Sequence, residues 1–374
     1  MDIKIKEVTN NRDLRSFIKF PFRLYKGNEF WVPPIISEEM KVLRKDKNPF
    51  FEVGEAKYFL AYKNNKVVGR IAGIISNPYI EKVGKKHGRF GWIDFVDDIE
   101  VCKKLLVEVE KWTKSKGMIA LQGPLGFTNF DPQGMLIEGF QKIGTLAGIY
   151  NYSYYSKYLE LCNYKKQVDW IEFIIKKPIE TPEKIIKIAN HVENKYDYKK
   201  LEIKSKKEMR YYGRELFKLI EMTYKDNFGV MKYTDKQIDM YIEKFLSFIK
   251  NDYIAIIVDK NEKIVAFGIT MPFLSKAFQK AKGHLFPFGL FHIIKAMKKN
   301  DKVEFLLIGI NPKLQGNGIN AIIFKEFMSI FSKNNILQCE TNAELESNHK
   351  IQNQWKLFEK KQHKRRRCYI KKLV

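Results

Sequence analysis

The chain is poor in the residues that build metal centres and disulfide frameworks. It has four cysteines, Cys102, Cys162, Cys339 and Cys368, and none lies at metal-ligand spacing from another. That excludes zinc ribbons, C-x-x-C redox motifs and a cystine-stapled scaffold, and each cysteine reads as a small apolar filler in a reducing compartment. Six histidines are present without an H-E-x-x-H or comparable pattern, so no metal is expected. Long apolar runs are missing too. The longest, Leu285 to Met297, is interrupted by Pro287, Gly289, His292 and Lys295, too short and too broken to span a bilayer. The opening Met1-Asp2-Ile3-Lys4 has no apolar h-region, so no signal peptide and a cytoplasmic location are expected. Acidic residues are scarce as well: 43 Asp and Glu face 68 Lys and Arg, a formal net charge of +25. Such a surface attracts phosphates, nucleic acid or anionic membrane. The lysines are spread along the whole chain, as in a Lys-rich proteome, and only Lys364-Arg365-Arg366-Arg367 forms a local cluster.

What is present is a chain of 374 residues with 45% hydrophobic content, enough for two domains of about 150–200 residues with real cores. Two stretches share a layout. Lys57 to Tyr62 reads as a strand, Lys63 to Lys66 turns, and Val67 to Ile74 returns; Tyr253 to Val258, Asp259 to Lys263 and Ile264 to Ile269 repeat the pattern. Each hairpin leads to a further strand, Phe90 to Phe95 or Val303 to Ile310. A helix follows, from about Asp98 to Lys116 or Gly318 to Ser332. Another strand comes next, Ala120 to Gln122 or Leu337 to Glu340. This is a duplicated domain of mixed α/β class, joined near Pro178-Ile179-Glu180-Thr181-Pro182. The expected domains are 1–178 and 179–374. From Glu183 to Lys250 helical periodicity dominates, as at Leu216, Leu219, Ile220 and Thr223.

The stretch that carries chemistry runs Phe305-Leu306-Leu307-Ile308-Gly309-Ile310-Asn311-Pro312-Lys313-Leu314-Gln315-Gly316-Asn317-Gly318-Ile319-Asn320. An apolar strand ends at a proline, a polar loop with two glycines follows, and an apolar helix opens. Backbone N–H groups and the positive end of the helix dipole then converge on one point, where a diphosphate is the natural occupant. Glycine lets the backbone approach phosphate oxygens closely. A P-loop would end in Gly-Lys-Ser/Thr, and a Rossmann fingerprint would need a third glycine; both are absent.

Gln315-Gly316-Asn317-Gly318-Ile319-Asn320 resembles motif A of the GNAT acyltransferases, Gln/Arg-x-x-Gly-x-Gly/Ala, with Asn320 departing at the last position. Over most of its length the chain resembles bacterial proteins built from two GNAT-like domains. The stretches that carry this are Pro21 to Pro34, Gly123 to Thr128, Glu340-Thr341-Asn342 and Leu345-Glu346-Ser347-Asn348. The resemblance implies that the second domain binds acetyl-coenzyme A or another acyl-coenzyme A through Ile308, Ile310, Gln315, Gly316, Asn317, Gly318, Ile319 and Asn320. It implies transfer of the acyl group to an amine on a small molecule or peptide. The first domain has Phe95-Val96-Asp97-Asp98-Ile99-Glu100 where that loop would lie, and carboxylates there repel a diphosphate. Such enzymes commonly place a tyrosine on the last helix to protonate the leaving thiolate. Phe358 stands at that position and cannot donate a proton.

A base is needed for the acceptor amine. Glu304, Glu340 and Glu346 are the candidates, with Asn342 and Asn348 as groups that would orient the substrate; strand alternation would put Glu340 and Asn342 on one face. Asn348 also suits a helix cap. Gly283 to Lys299 carries more apolar residues than a surface loop needs, and reads as a lid, an interfacial helix or a packed domain interface. Tyr150 to Tyr155 reads as packing, with a ligand wall as the other option. Two other functions suit the sequence. One is a Fem-like transferase of aminoacyl groups from transfer RNA, motivated by the duplication and the charge. The other is a non-catalytic sensor or scaffold that keeps coenzyme A.

Overall fold

The computed structural model describes residues 2–248 and 251–373. In chain order the first half comprises β1 (Lys4–Glu7), α1 (Asn11–Leu24), α2 (Ile36–Leu43), β2 (Gly54–Lys63), β3 (Lys66–Ser76), α3 (Asn77–Val83), β4 (His87–Phe95), α4 (Ile99–Ser115), β5 (Ala120–Gly123), β6 (Met135–Glu138), α5 (Tyr154–Leu161) and β7 (Lys165–Lys176). The second comprises α6 (Glu183–Tyr196), β8 (Lys199–Lys200), α7 (Lys206–Tyr224), α8 (Asp235–Phe248), β9 (Ile254–Val258), β10 (Ile264–Pro272), α9 (Ser275–Ala281), α10 (Gly289–Lys298), β11 (Lys302–Ile310), α11 (Ile319–Lys333), β12 (Gln338–Thr341), β13 (Glu344–Leu345), α12 (His349–Gln354) and β14 (Lys360–Lys372).

The chain forms two compact units. The first contains residues 1–171, 274–294 and 363–374; the second contains 172–273 and 295–362. The single join expected at 178/179 is therefore corrected: the units interleave, because each sheet is completed by a strand from the other half of the sequence. In the first unit β1 to β4 form an antiparallel run, β4 lies parallel to β5, and β14 closes the order antiparallel to β5, Tyr369 facing Gly123. In the second unit β8 to β11 are antiparallel, β11 lies parallel to β12, and the end of β7 pairs antiparallel with β12, Ile174 facing Glu340.

The two sheets bury helices in corresponding ways. In the first unit α4 lies so close to β3 that a Cβ on Gly73 would come within 2.7 Å of the Trp112 ring. Leu14, Phe17 and Ile18 of α1 pack with Tyr58, Leu60, Ala72 and Ile74. In the second unit Phe327 of α11 packs over Gly268 of β10, where a Cβ would meet the ring at 2.4 Å. Such contacts explain why the glycines sit mid-strand, where they would otherwise weaken pairing. Helix α11 buries residues almost all round, from Ile319 to Phe331, as its nearly continuous apolar sequence requires. Among the described residues no helix is long and apolar enough to cross a membrane.

Candidate active site

The site is built where β11 outruns its neighbour. The parallel ladder with β12 extends from Lys302 opposite Gln338 to Phe305 opposite Thr341, and Asn342 N–H adds a bond to the Phe305 carbonyl at 2.9 Å. Beyond that, β11 continues to Ile310 with no β12 residue beside it. Among the described residues this edge has no neighbouring strand, and the Tyr224 hydroxyl bonds it at Ile308. The edge ends at Asn311, whose side chain accepts from Lys313 N–H at 3.1 Å, and Pro312 starts a short turn.

The loop then presents its backbone. Gly316 and Gly318 adopt φ of +87° and +80°, the left-handed region that glycine enters without strain. Gly318 caps α11 with no side-chain hydrogen bond. Among the described residues, the N–H groups of Gly316, Asn317, Gly318, Ile319 and Asn320 have no partner within the protein. Space is available too, since a Cβ on Gly316 would meet nothing within 4 Å. A row of free donors at the start of a long helix is a ready anion cradle. The expected loop residues Gln315 to Asn320 are thus brought together, and Gln315, Gly316 and Asn317 are exposed.

The first unit shows the same strand and helix with the cradle filled. Asp98 caps α4, accepting from Glu100 N–H at 3.0 Å and pairing with Lys63 at 2.9 Å. Tyr158 donates to Asp97 at 2.6 Å. The end of β4 is also occupied: Tyr155 Oη accepts from Phe95 N–H at 3.0 Å, and Tyr154 donates to the Phe95 carbonyl at 2.7 Å. A Cβ on Gly91 would lie 2.3 Å from the Leu125 carbonyl. The tyrosines at 150–155 are therefore packing and plugging groups. Tyr155 stacks on Phe95 at 4.2 Å and contacts Asp94 and Tyr25 through its hydroxyl.

The named carboxylates and amides of the second unit divide: Glu304, Glu340 and Asn342 lie on or beside neighbouring strands, while Asn348 belongs to a helix cap. Glu340 is fully buried and ion-paired with Lys302, whose ammonium also lies 4.0 Å from the Phe273 ring centroid. Glu304 is 3% exposed and faces Glu340 in register. Asn342 lies past the end of β12 and is exposed, so the alternation expected between Glu340 and Asn342 stops before it applies. Its Nδ2 donates to the Leu306 carbonyl at 3.4 Å, across the opening. Asn348 caps α12, accepting from Ile351 N–H at 3.3 Å. Glu346 is half-buried. Phe358 follows the last helical turn and packs on Phe324 with centroids 5.5 Å apart.

Two further residues lie near this edge: Tyr224, bonded to it, and Glu344, close enough for its charge to act on Tyr224. Tyr224, the last residue of α7, donates its hydroxyl to the Ile308 carbonyl at 2.7 Å and accepts from Ile308 N–H at 3.1 Å. Burial of that hydroxyl pushes its pKa well up, and the Glu344 charge adds to the effect. Glu344 lies between the two carboxylates already considered. Its Oε1 accepts from Trp355 Nε1 at 2.8 Å, while Oε2 is buried without a hydrogen bond. Desolvation raises its pKa to about 7, against smaller lowering effects of Trp355, Lys360 and Thr341. No sequence signal marked Tyr224, because its partner is backbone 84 residues away. Glu344 had a signal, its place between Glu340 and Glu346.

No protein-family model matches the chain. It is 26% identical over 376 residues to Protein YghO of Escherichia coli, covering 99% of this chain and 95% of that one. It is 24% identical over 320 residues to the bacterial ceramide synthase of Caulobacter vibrioides, covering 84% and 82%. Among solved structures, a tandem GNAT protein from the clavulanic acid biosynthesis pathway superposes with a TM-score of 0.57 at 8% identity, covering 100% of this chain and 99% of that one. The fold is that of a tandem GNAT protein.

Proposed function

We propose that the second unit is an acyl-coenzyme A-dependent N-acyltransferase, and that its acceptor is the amine of a long-chain amphiphile. The observation that carries the first part is the row of unpartnered N–H groups from Gly316 to Asn320 at the start of α11, beside the edge of β11 that has no neighbouring strand. The residues present suit the cofactor. The cradle would take the diphosphate, and the pantetheine arm would bond the edge from Leu306 to Ile310 like a strand by displacing the Tyr224 hydroxyl from the Ile308 N–H and carbonyl. Bound there, acyl-coenzyme A supplies a thioester carbonyl open to attack by an amine. The acceptor class rests on the similarity to the ceramide synthase, since a ceramide is an N-acylated long-chain amino alcohol.

The chain's own groups supply the proton chemistry. Glu344, with a pKa near 7, suits a base that removes the proton of the acceptor ammonium at Oε2. Trp355 fixes the carboxyl through Oε1, so the buried Oε2, which has no hydrogen bond among the described residues, is the oxygen left to take the proton. Tyr224 holds a proton at the Ile308 edge, in the role that Phe358 lacks. Glu340 is less suited to a base than Glu344, because its carboxylate is already engaged in an ion pair with Lys302.

Calorimetric titration of coenzyme A into the full chain tests the reading. Wild type binds and Gly318→Glu does not; equal binding by both, or none by either, overturns it. Sphinganine and short polar amines, each offered with palmitoyl- and acetyl-coenzyme A, then test the acceptor. Tight binding with no turnover of any amine would favour a sensor. The relatives lend no support to transfer from aminoacyl-transfer RNA.

A further inference from the structure

The first unit carries an apolar surface that the transferase reading does not use. Phe286 is 73% exposed, Phe288 72%, Phe291 64%, Ile294 43% and Leu290 37%. Single exposed apolar residues are ordinary, but five within nine positions form a contiguous patch, and such patches mark interaction sites.

The patch stands on ordered backbone. Leu290 N–H donates to the Leu285 carbonyl at 2.6 Å, and Gly289 is wound so tightly that a Cβ there would clash with the His284 carbonyl. Below it, Ile36 N–H donates to the Gly283 carbonyl at 2.9 Å, and Gln279 Nε2 donates to the carbonyls of Glu29 and Trp31 at 2.8 and 2.9 Å. Helix α10 turns Gly289 and Ile293 inward, so Leu290, Phe291 and Ile294 share the outward stripe. Lys295 and Lys298 continue that stripe.

We propose that the segment from Phe286 to Ile294 docks the protein on an anionic lipid bilayer, its apolar side chains entering the headgroup boundary while the surrounding lysines meet lipid phosphates. Charge selects this occupant. From Lys263 to Asn300 the chain contains no Asp or Glu, and Lys276, Lys280, Lys282, Lys295, Lys298 and Lys299 are all exposed. A second copy would bring the same lysines and be repelled. A nucleic acid would use the lysines and stack on phenylalanines, but it gives Leu290 and Ile294 nothing to bury against. A bilayer takes both kinds of side chain, to a depth of about 5–10 Å.

Sedimentation of the full chain with vesicles tests this without any catalytic readout, so its failure would leave the transferase reading untouched. The vesicles are phosphatidylcholine alone, or three parts phosphatidylcholine to one of phosphatidylglycerol. Wild type binds the anionic vesicles, and a fraction stays bound at 1 M salt, where the screening length is about 3 Å. The triple variant F286S/F288S/F291S binds at least about tenfold more weakly in both salts. K295Q/K298Q binds about tenfold more weakly at low salt only. Both variants keep the wild-type melting temperature, because the altered side chains are exposed; Phe286→Ser alone, weakening binding about threefold, serves if the triple variant does not fold. The proposal is overturned by unchanged binding in the aromatic variants, by wild-type binding that vanishes in 1 M salt, or by no vesicle binding at all. It is also overturned if wild type is a dimer in solution that the triple variant splits, since the patch then belongs to self-association.

Discussion

Trp355 Nε1 donates to Glu344 Oε1 at 2.8 Å, and the same carboxyl buries Oε2 without a partner. One oxygen is fixed and the other is buried, in surroundings that raise the pKa to about 7. The rate of acyl transfer should therefore fall about tenfold per pH unit below 7, as the base protonates. Glu344→Gln should lower kcat by about 10²–10⁴-fold, remove that limb and leave coenzyme A affinity unchanged. Trp355→Phe removes a bond that favours the ionised form, so the limb moves to higher pH. A kcat profile from pH 5 to 9 checks all three, and a Glu344→Gln enzyme with wild-type kcat would move the base elsewhere.

The same shift affects stability. A folded pKa raised above the unfolded 4.5 means that the neutral carboxyl fits the fold. Its contribution is fully present below pH 4.5 and is lost as pH rises through about 7. Glu344→Gln should match wild type in melting temperature at pH 4 and exceed it above pH 7.5. A variant that melts lower at the higher pH would reverse the sign of this argument.

Tyr224→Phe leaves the Ile308 N–H and carbonyl without their present partner. Stability should drop by about 1–2 kcal/mol, read by chemical denaturation. If the hydroxyl also serves the reaction, kcat falls more than tenfold while the dissociation constant of coenzyme A changes little. A variant that loses stability alone assigns Tyr224 a purely structural role.

The two loop glycines should differ. Gly316→Ala meets open space and pays only for its φ of +87°, about 1 kcal/mol. Gly318→Ala meets that strain and also places Cβ 2.8 Å from Ile188 Cγ2 and 3.2 Å from Val192 Cγ2 of α6. It should melt lower than Gly316→Ala and bind coenzyme A more weakly. Parallel melts and titrations decide, and identical behaviour would mean that α6 yields freely.

One coenzyme A should bind per chain. In the first unit Asp98 already caps α4, and tyrosine hydroxyls hold the end of β4. Asp97→Asn should leave affinity unchanged, and Asp98→Ala should cost about 1 kcal/mol of stability as a lost cap with no change in binding. A stoichiometry of two, or a large affinity change in Asp97→Asn, would show that the first unit also holds cofactor.

Local pattern was enough for the repeated hairpins, for strands β4 and β11 and for the helices after them. Period-two apolar runs, turn residues and Gly117 or Pro312 at their ends act over a few positions, so the sequence states them directly. The glycine loop was legible for the same reason: positive φ and bare N–H groups are properties of adjacent residues. The exchange of β7 and β14 between the sheets was not legible, because pairing between segments distant along the chain is chosen only when the strand edges are assembled. Nor could composition tell which glutamate is useful. Glu340 and Glu344 are the same residue type four positions apart, yet Lys302 on the neighbouring strand pairs with one and burial near Trp355 raises the pKa of the other. Sequence determined which chemical groups are present; tertiary structure decided which are paired and which are desolvated, because both depend on neighbours that are distant along the chain.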